Sequence, residues 1–187
     1  MSLTVLHSSE IIPYRGPELR PHFILSRFGI EGSALVAFRG PCRVETDHLV
    51  DWEDRLASDH IAAKEMVHFL GEFFGITLRE GVWIQRHLVQ EASARLRARG
   101  LEVRRDGDDL FLADGKLSVS IVTASPVSVL LHLGVNLDPE GAPVRAAGLS
   151  GNLDAASIAD WIRSLLEDFK KEWVSVGRAT VKVKPVI

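Results

Sequence analysis

Residues Asp106–Leu137, DGDDLFLADGKLSVSIVTASPVSVLLHLGVNL, read as three consecutive strands joined by tight turns. From Lys116 to Thr123 the odd positions Leu117, Val119 and Ile121 are apolar, while Lys116, Ser118 and Ser120 fall between them. From Val127 to Leu137 the odd positions are apolar again, and the even ones include Ser128, His132, Gly134 and Asn136. Side chains alternate across a strand, so each strand has one apolar and one more polar face. A two-residue Asp114-Gly115 turn would pair Leu112 with Leu117 and set Asp109 opposite Ser120. A three-residue Ala124-Ser125-Pro126 loop would pair Ser118 with His132. The expected result is one face carrying Asp109, Lys116, Ser118, Ser120, His132 and Asn136, with Gly134 leaving room for a ligand. That face is either a binding site or the solvated side of an antiparallel sheet.

Outward from this segment, the pattern predicts helices over about Val82–Arg99 and Ala155–Trp173. The second carries Ile158, Trp161, Ile162, Leu165, Leu166 and Phe169 at helical spacing, with Asn152 or Asp154 as cap. Met66, Phe69, Leu70 and Phe73 recur at i, i+3, i+4 and i+7, which predicts a third helix from Ser58 or Asp59 towards Phe74. Leu3–His7 and Ser33–Phe38 read as strands, the latter ending in an Arg39-Gly40-Pro41 turn, and Ile11–Pro21 as a loop. Alternation in Ala179–Ile187 suggests an edge strand protected by Lys182, Lys184 and Pro185. Strands and helices mix without strict β-α-β order, so the class is α+β, with a mixed or antiparallel sheet packed against helices.

The 187 residues fit one domain over 1–187, and a net charge of -3 makes nucleic acid an unlikely partner. With Cys42 as the lone cysteine there is neither an internal disulfide nor a cysteine zinc cluster, and a buried inert thiol is the simplest reading. The first residues lack a signal-peptide pattern and no apolar run approaches the ~20 residues of a membrane span, so a cytoplasmic protein without a membrane partner is expected. A homo-oligomer is left open. His48, Asp51, Glu53, Asp54, His60 and His68 sit in an acid-rich stretch whose spacing fits no metal motif. A metal-dependent hydrolase centred on Asp51–His68 is an alternative, but no metal ligands are assigned. His68, between Val67 and Phe69, is either a hydrogen-bonded core histidine or a general base.

The order of elements resembles the biotin and lipoate protein ligases, whose fold is similar to that of class II synthetases. A helix over 82–99 precedes Asp108-Asp109-Leu110, then Asp114-Gly115-Lys116-Leu117, then Gly134-Val135-Asn136. The resemblance implies that Lys116 is the ligand-contacting lysine and Asp109 the aspartate of the pair, with ATP and magnesium as cofactors. Asp108 stands where those ligases have asparagine, and Ser118-Val119 where they have a small residue and glycine. Their Gly/Arg-rich loop is reduced to Phe38-Arg39-Gly40-Pro41, which the resemblance would bring near Lys116 to hold an anion. Over nearly its whole length the chain also resembles the "domain of unknown function 366" family. The matching stretches include Phe28-Gly29-Ile30, Phe38-Arg39-Gly40, Met66-Val67-His68-Phe69 and Gly115-Lys116-Leu117-Ser118. The expected function is an enzyme binding a small carboxylate or nucleotide-like ligand, of the ligase, acyl-transfer or nucleotidyl-transfer type. Lys116, Asp109 and His68 are its candidate catalytic residues. Arg39, Gly40, Ser118, Ser120, His132, Gly134 and Asn136 are its candidate ligand contacts. A non-catalytic small-molecule-binding module is the other reading.

Overall fold

Two long helices cover one face of a five-stranded sheet, and loop segments cover the other. The structure is a computed structural model and describes residues 2–186. In chain order the elements are β1 (Thr4–Ile11), α1 (Phe23–Phe28), β2 (Ala34–Val44), a 3-10 turn (Thr46–His48), α2 (Trp52–Leu56) and β3 (Ile61–Phe73). There follow α3 (Leu78–Arg97), β4 (Val103–Asp106), β5 (Asp109–Leu112), β6 (Gly115–Lys116), β7 (Ser118–Ala124), β8 (Val129–Asp138) and α4 (Ala155–Val181). The large sheet is ordered β1-β2-β3-β8-β7, with β1 and β2 parallel and the remaining neighbours antiparallel. Strands β4-β5-β6 form a small second sheet.

Alternation sorts the strand residues into two cores. Leu35 and Ala37 of β2, Val67, Phe69 and Phe73 of β3, and Leu131, Leu133 and Val135 of β8 face the helices. There they meet Leu88, Ala92 and Leu96 of α3 and the predicted stripe of α4. Trp161 packs edge-on to Phe69 with ring centres 5.6 Å apart, and its Nε1 donates to the Ala92 carbonyl at 3.3 Å. On the opposite face Val36, Phe38, Met66 and Leu70 pack under Tyr14, Phe23 and Ile24 from the loop-rich segment after β1.

Two of the three predicted helices are present, those over 82–99 and 155–173. α3 starts earlier than expected because Thr77 and Glu80 form a capping box, each side chain bonding the other's backbone N–H. Asp154 caps α4 by accepting from the Ser157 N–H.

Three expectations are corrected. The 58–74 helix is the strand β3, paired on both sides along most of its length. A central strand buried on both faces loses the period-two signal, and Met66–Phe73 is almost uniformly buried. Arg39-Gly40-Pro41 is no turn, because β2 runs on to Val44 with a register irregularity between Gly40 and Cys42. The residue Pro41 still contributes its carbonyl, which accepts from the Tyr14 N–H. The tail is no edge strand. α4 extends to Val181, and residues 182–186 pair with no strand. Alternation alone does not make a strand where no neighbouring ladder satisfies its backbone. Ile187 lies outside the described residues.

Candidate functional site

A cleft of about 400 Å³ opens on the loop-covered face of the sheet. Met66, Val119, Ile121, His132 and Asn136 form its floor. Tyr14 and Val44 border one side, and Asp51, Asp54, Asp59 and His60 from the acid-rich segment make a wall. The β5–β6 hairpin brings Asp108, Asp109 and Lys116, and a strap containing Pro143 and Val144 completes the rim. The strap is tied to Lys116 through its backbone. The Lys116 N–H donates to the Arg145 carbonyl at 2.9 Å, and the Ala147 N–H donates to the Lys116 carbonyl at 3.0 Å. A Cβ at position 115 would lie 2.8 Å from the Ala146 carbonyl carbon, so this close approach requires glycine there.

Lys116 and Asp109 meet as expected, though in a different register. The turn is centred on Ala113-Asp114, with Ala113 at φ 50°, and pairs Leu112 with Gly115 and Phe111 with Lys116. Asp109 and Lys116 are thus diagonal neighbours on one face, with Lys116 Nζ 2.9 Å from Asp109 Oδ2. Burial raises the Asp109 carboxyl above the usual range, and the lysine opposes that shift. Asp108 turns the other way, 3.1 Å from Arg86 and accepting from Gln85 Nε2 at 3.0 Å.

His68 and His132 form a buried pair. His68 Nε2 lies 3.2 Å from the Gly40 carbonyl, and His68 Nδ1 lies 3.0 Å from His132 Nε2. A carbonyl only accepts, so His68 Nε2 carries its hydrogen and Nδ1 is an acceptor. His132 Nε2 then donates, which leaves His132 Nδ1 with a lone pair and no partner among the described residues. Tyr14 stacks on His132 at 3.9 Å between ring centres and on His68 at 5.1 Å. Burial pushes His68 down to about 4 and holds His132 well below its ordinary value, with His68 reinforcing the latter shift. Both rings are therefore neutral near pH 7.

Other expected site residues are placed differently. Ser118 pairs with Val135 and Ser120 with Leu133, three residues out of the expected register. Both side chains therefore turn to the helix-covered face, although both residues border the cleft. Ser118 Oγ accepts from the Leu110 N–H at 2.9 Å, and Ser120 Oγ accepts from Gln85 Nε2 at 2.9 Å. The loop before β8 has four residues, and Ser125 Oγ accepts from the Val127 and Ser128 N–H groups within it. Arg39 pairs with Glu65 at 2.7 Å and does not border the cleft. Gly40 contributes only its carbonyl. Gly134 opens no room for a ligand, because a Cβ there would meet Met66 Sδ at 3.0 Å and His132 Cε1 at 3.1 Å. Asn136 borders the cleft, with its Nδ2 donating to the Lys116 carbonyl at 3.2 Å. Its Oδ1 is buried without a partner among the described residues.

His68 is fully buried in the sheet, apart from the acids of α2 that line the cleft. Among the described residues no three His, Cys, Asp or Glu side chains converge on a point that could hold a metal ion. Cys42 is buried, and burial pushes its thiol up to about 12, as an inert core thiol requires. Among the described residues no helix is long and apolar enough to cross a membrane. Two site residues were not anticipated: Tyr14, which stacks on His132, and Gln85, which bonds Asp108 and Ser120. The one sign for Tyr14 in the sequence is that it is the chain's only tyrosine.

The sheet, its helices and the lysine hairpin define a class, the fold of the biotin and lipoate protein ligases. A lipoate-protein-ligase-type protein of T. acidophilum, solved with bound lipoic acid, superposes with a TM-score of 0.57 at 15% identity, over 94% of this chain and 87% of its own. At that identity the likeness concerns the fold alone. A protein of unknown function from Pyrococcus horikoshi superposes with a TM-score of 0.91 at 34% identity, over 100% of both chains. An uncharacterized protein of Methanocaldococcus jannaschii is 29% identical over 191 residues, which is 99% of this chain and 86% of that protein. The model of the Domain of unknown function (DUF366) family matches residues 3–184, and the chain belongs to that family.

Proposed function

We propose that this protein is an enzyme of the acyl-transfer type that binds a small carboxylate on the Lys116 face of the cleft. The observation that carries this reading is the placement of Lys116 Nζ at the cleft, oriented by Asp109 at 2.9 Å. An ammonium has three donors and Asp109 occupies one, so two remain for a ligand carboxylate. His132 borders the same cleft with a free lone pair and handles the proton. His68 positions it by fixing its tautomer. The T. acidophilum protein of the same fold is solved with lipoic acid, a small carboxylate, and a lipoate-protein ligase of this fold is solved with ATP.

The cleft residues do not fit a triphosphate. Arg39 is engaged with Glu65 away from the cleft, so a nucleotide would meet one lysine among Asp51, Glu53, Asp54, Asp59, Asp108 and Asp109. The proposed chemistry accordingly contains no step through ATP or magnesium: the acyl group arrives already activated as a thioester. Its transfer to an acceptor amine or hydroxyl breaks the C–S bond, and His132 passes the acceptor's proton to the departing thiolate. The carboxylate on Lys116 belongs to the acceptor.

Titration calorimetry with lipoate and caproate against wild type and Lys116→Ala tests the binding. The lysine–aspartate pair is about one-third exposed, so its loss should change stability by no more than ~1 kcal/mol. Carboxylate affinity should fall by roughly tenfold or more. Undiminished affinity in Lys116→Ala would remove the lysine from the site. The non-catalytic reading has one observation in its favour: Arg39-Gly40-Pro41 is built into β2 rather than free to wrap an activated acyl group. Tight carboxylate binding with no acyl transfer from an acyl thioester or acyl-adenylate would favour that reading.

A further inference from the structure

The polar groups of the cleft are unbalanced. Six carboxylates border it, and two are matched: Asp108 by Arg86 and Asp109 by Lys116. Asp51, Glu53, Asp54 and Asp59 enter no ion pair among the described residues. Asp51 caps α2 by accepting from the Glu53 N–H at 2.7 Å, which leaves Asp54 as the part-buried carboxylate with no cation of its own. His48 and His60 border the same wall and are the remaining protein groups that could bring positive charge.

The floor shows the same bias by independent means. His132 is 3% exposed, and its Nδ1 is an acceptor without a donor. Asn136 is 5% exposed, and its Oδ1 is also an acceptor without a donor. Lys116 is the only lysine or arginine among the bordering residues. A ligand that carried only acceptors would satisfy Lys116 and leave Asp54, His132 Nδ1 and Asn136 Oδ1 without a donor. Unmatched buried acceptors and charges are costly, so the complementary ligand is rich in N–H donors and carries positive charge.

We propose that the ligand is a small carboxylate that also bears an amine, with its carboxylate on Lys116 and its ammonium group against Asp54 and the floor acceptors. The raised carboxyl of Asp54, caused first by burial and then by Asp51 and Asp59, accords with a group that awaits a cation. The inference rests on the reading of Lys116 as the carboxylate-binding group.

The test uses the intact protein and commercial probes that differ only in charge. Caproate, ε-aminocaproate and hexylamine form a matched set, and γ-aminobutyrate and leucine vary the spacing between the charges. Calorimetry at pH 7 should show at least one amino acid of the series binding roughly tenfold tighter than caproate. Asp54→Asn should erase that advantage, so that the affinity ratio of amino acid to caproate falls to about one. If caproate binds as well as every amino acid, and Lys116→Ala abolishes that binding, the amine inference is overturned while the proposed function stands. If no probe binds, or binding survives Lys116→Ala, both are overturned. Circular dichroism of Asp54→Asn confirms folding, and the probe comparison on wild type decides the question without any variant.

Discussion

Acidification from pH 7 to pH 5 should destabilise this protein through the His68–His132 pair, and the size of the effect follows from the geometry. His68 is fully buried and held neutral, with its folded value moved from 6.5 down to about 4. On unfolding, the ring reaches water and takes up a proton below pH 6.5. The unfolded chain therefore binds more protons than the folded one between about 4 and 6.5, and stability falls as pH falls through that window. For one such histidine the loss between pH 7 and pH 5 is about 2 kcal/mol. For a chain of this size that lowers the melting temperature by roughly 6 °C. His132 and His7, also held below their ordinary values, act with the same sign. Asp54 and Asp109, held above theirs, act with the opposite sign. A difference measurement therefore isolates the pair. Urea unfolding is followed at pH 7 and pH 5 for wild type and for His68→Leu combined with His132→Leu. The double variant should lose at least about 2 kcal/mol less than wild type over this range. Equal losses in the two proteins would refute the assignment of two neutral, hydrogen-bonded rings.

Two smaller perturbations test the frame around the site. Thr77→Ala removes the capping box at the start of α3 and should cost about 1 kcal/mol in urea unfolding, with the fold unchanged by circular dichroism. Gly40→Ala would place a Cβ 2.0 Å from the Ile12 carbonyl oxygen, a backbone clash that side-chain movement cannot relieve. Its expected cost is ~3 kcal/mol or more, read as lost soluble yield or a lowered melting temperature, and a variant as stable as wild type would contradict the packing of β2 against the segment after β1.

How far the fold was legible depended on whether each element had one exposed face. α3 and α4 each keep a solvated side, so their apolar stripes stood out. β8 is buried on both faces, yet it alternates between aliphatic and polar or small side chains, and the strand showed through. β3 is the same kind of central strand, but its inner positions on both faces are mostly large and apolar. Met66, Phe69, Leu70 and Phe73 then match a helical stripe by accident, although Met66 and Leu70 lie on one face of the sheet and Phe69 and Phe73 on the other. No local signal separates the two readings, because the difference lies in the neighbours β2 and β8.

The candidate site was legible for groups held by short-range geometry and illegible where register decides. Lys116 and Asp109 are seven residues apart in one hairpin, and either turn assignment leaves them on the same face. Ser118, Ser120 and His132 span the longer β7–β8 connection, where a three-residue change in register moves the serines to the opposite face from the histidine. An odd shift always has this consequence in a strand, because the side-chain period is two. The shift comes from the loop falling at Ser125–Ser128 rather than 124–126, one residue later at its start and two at its end, where the Ser125 hydroxyl bonds hold it. The pair His68–His132 lies farther still from any sequence rule. Its members are 64 residues apart, meet only because β3 and β8 are adjacent, and share the face that Tyr14 covers. The acid wall was visible as composition, but its meaning was not. Read as sequence, those acids fit no metal motif and left a metal-dependent hydrolase only as an alternative. Placed around one lysine and beside the donor-free His132 Nδ1 and Asn136 Oδ1, they are the groups on which the proposed amine contact rests.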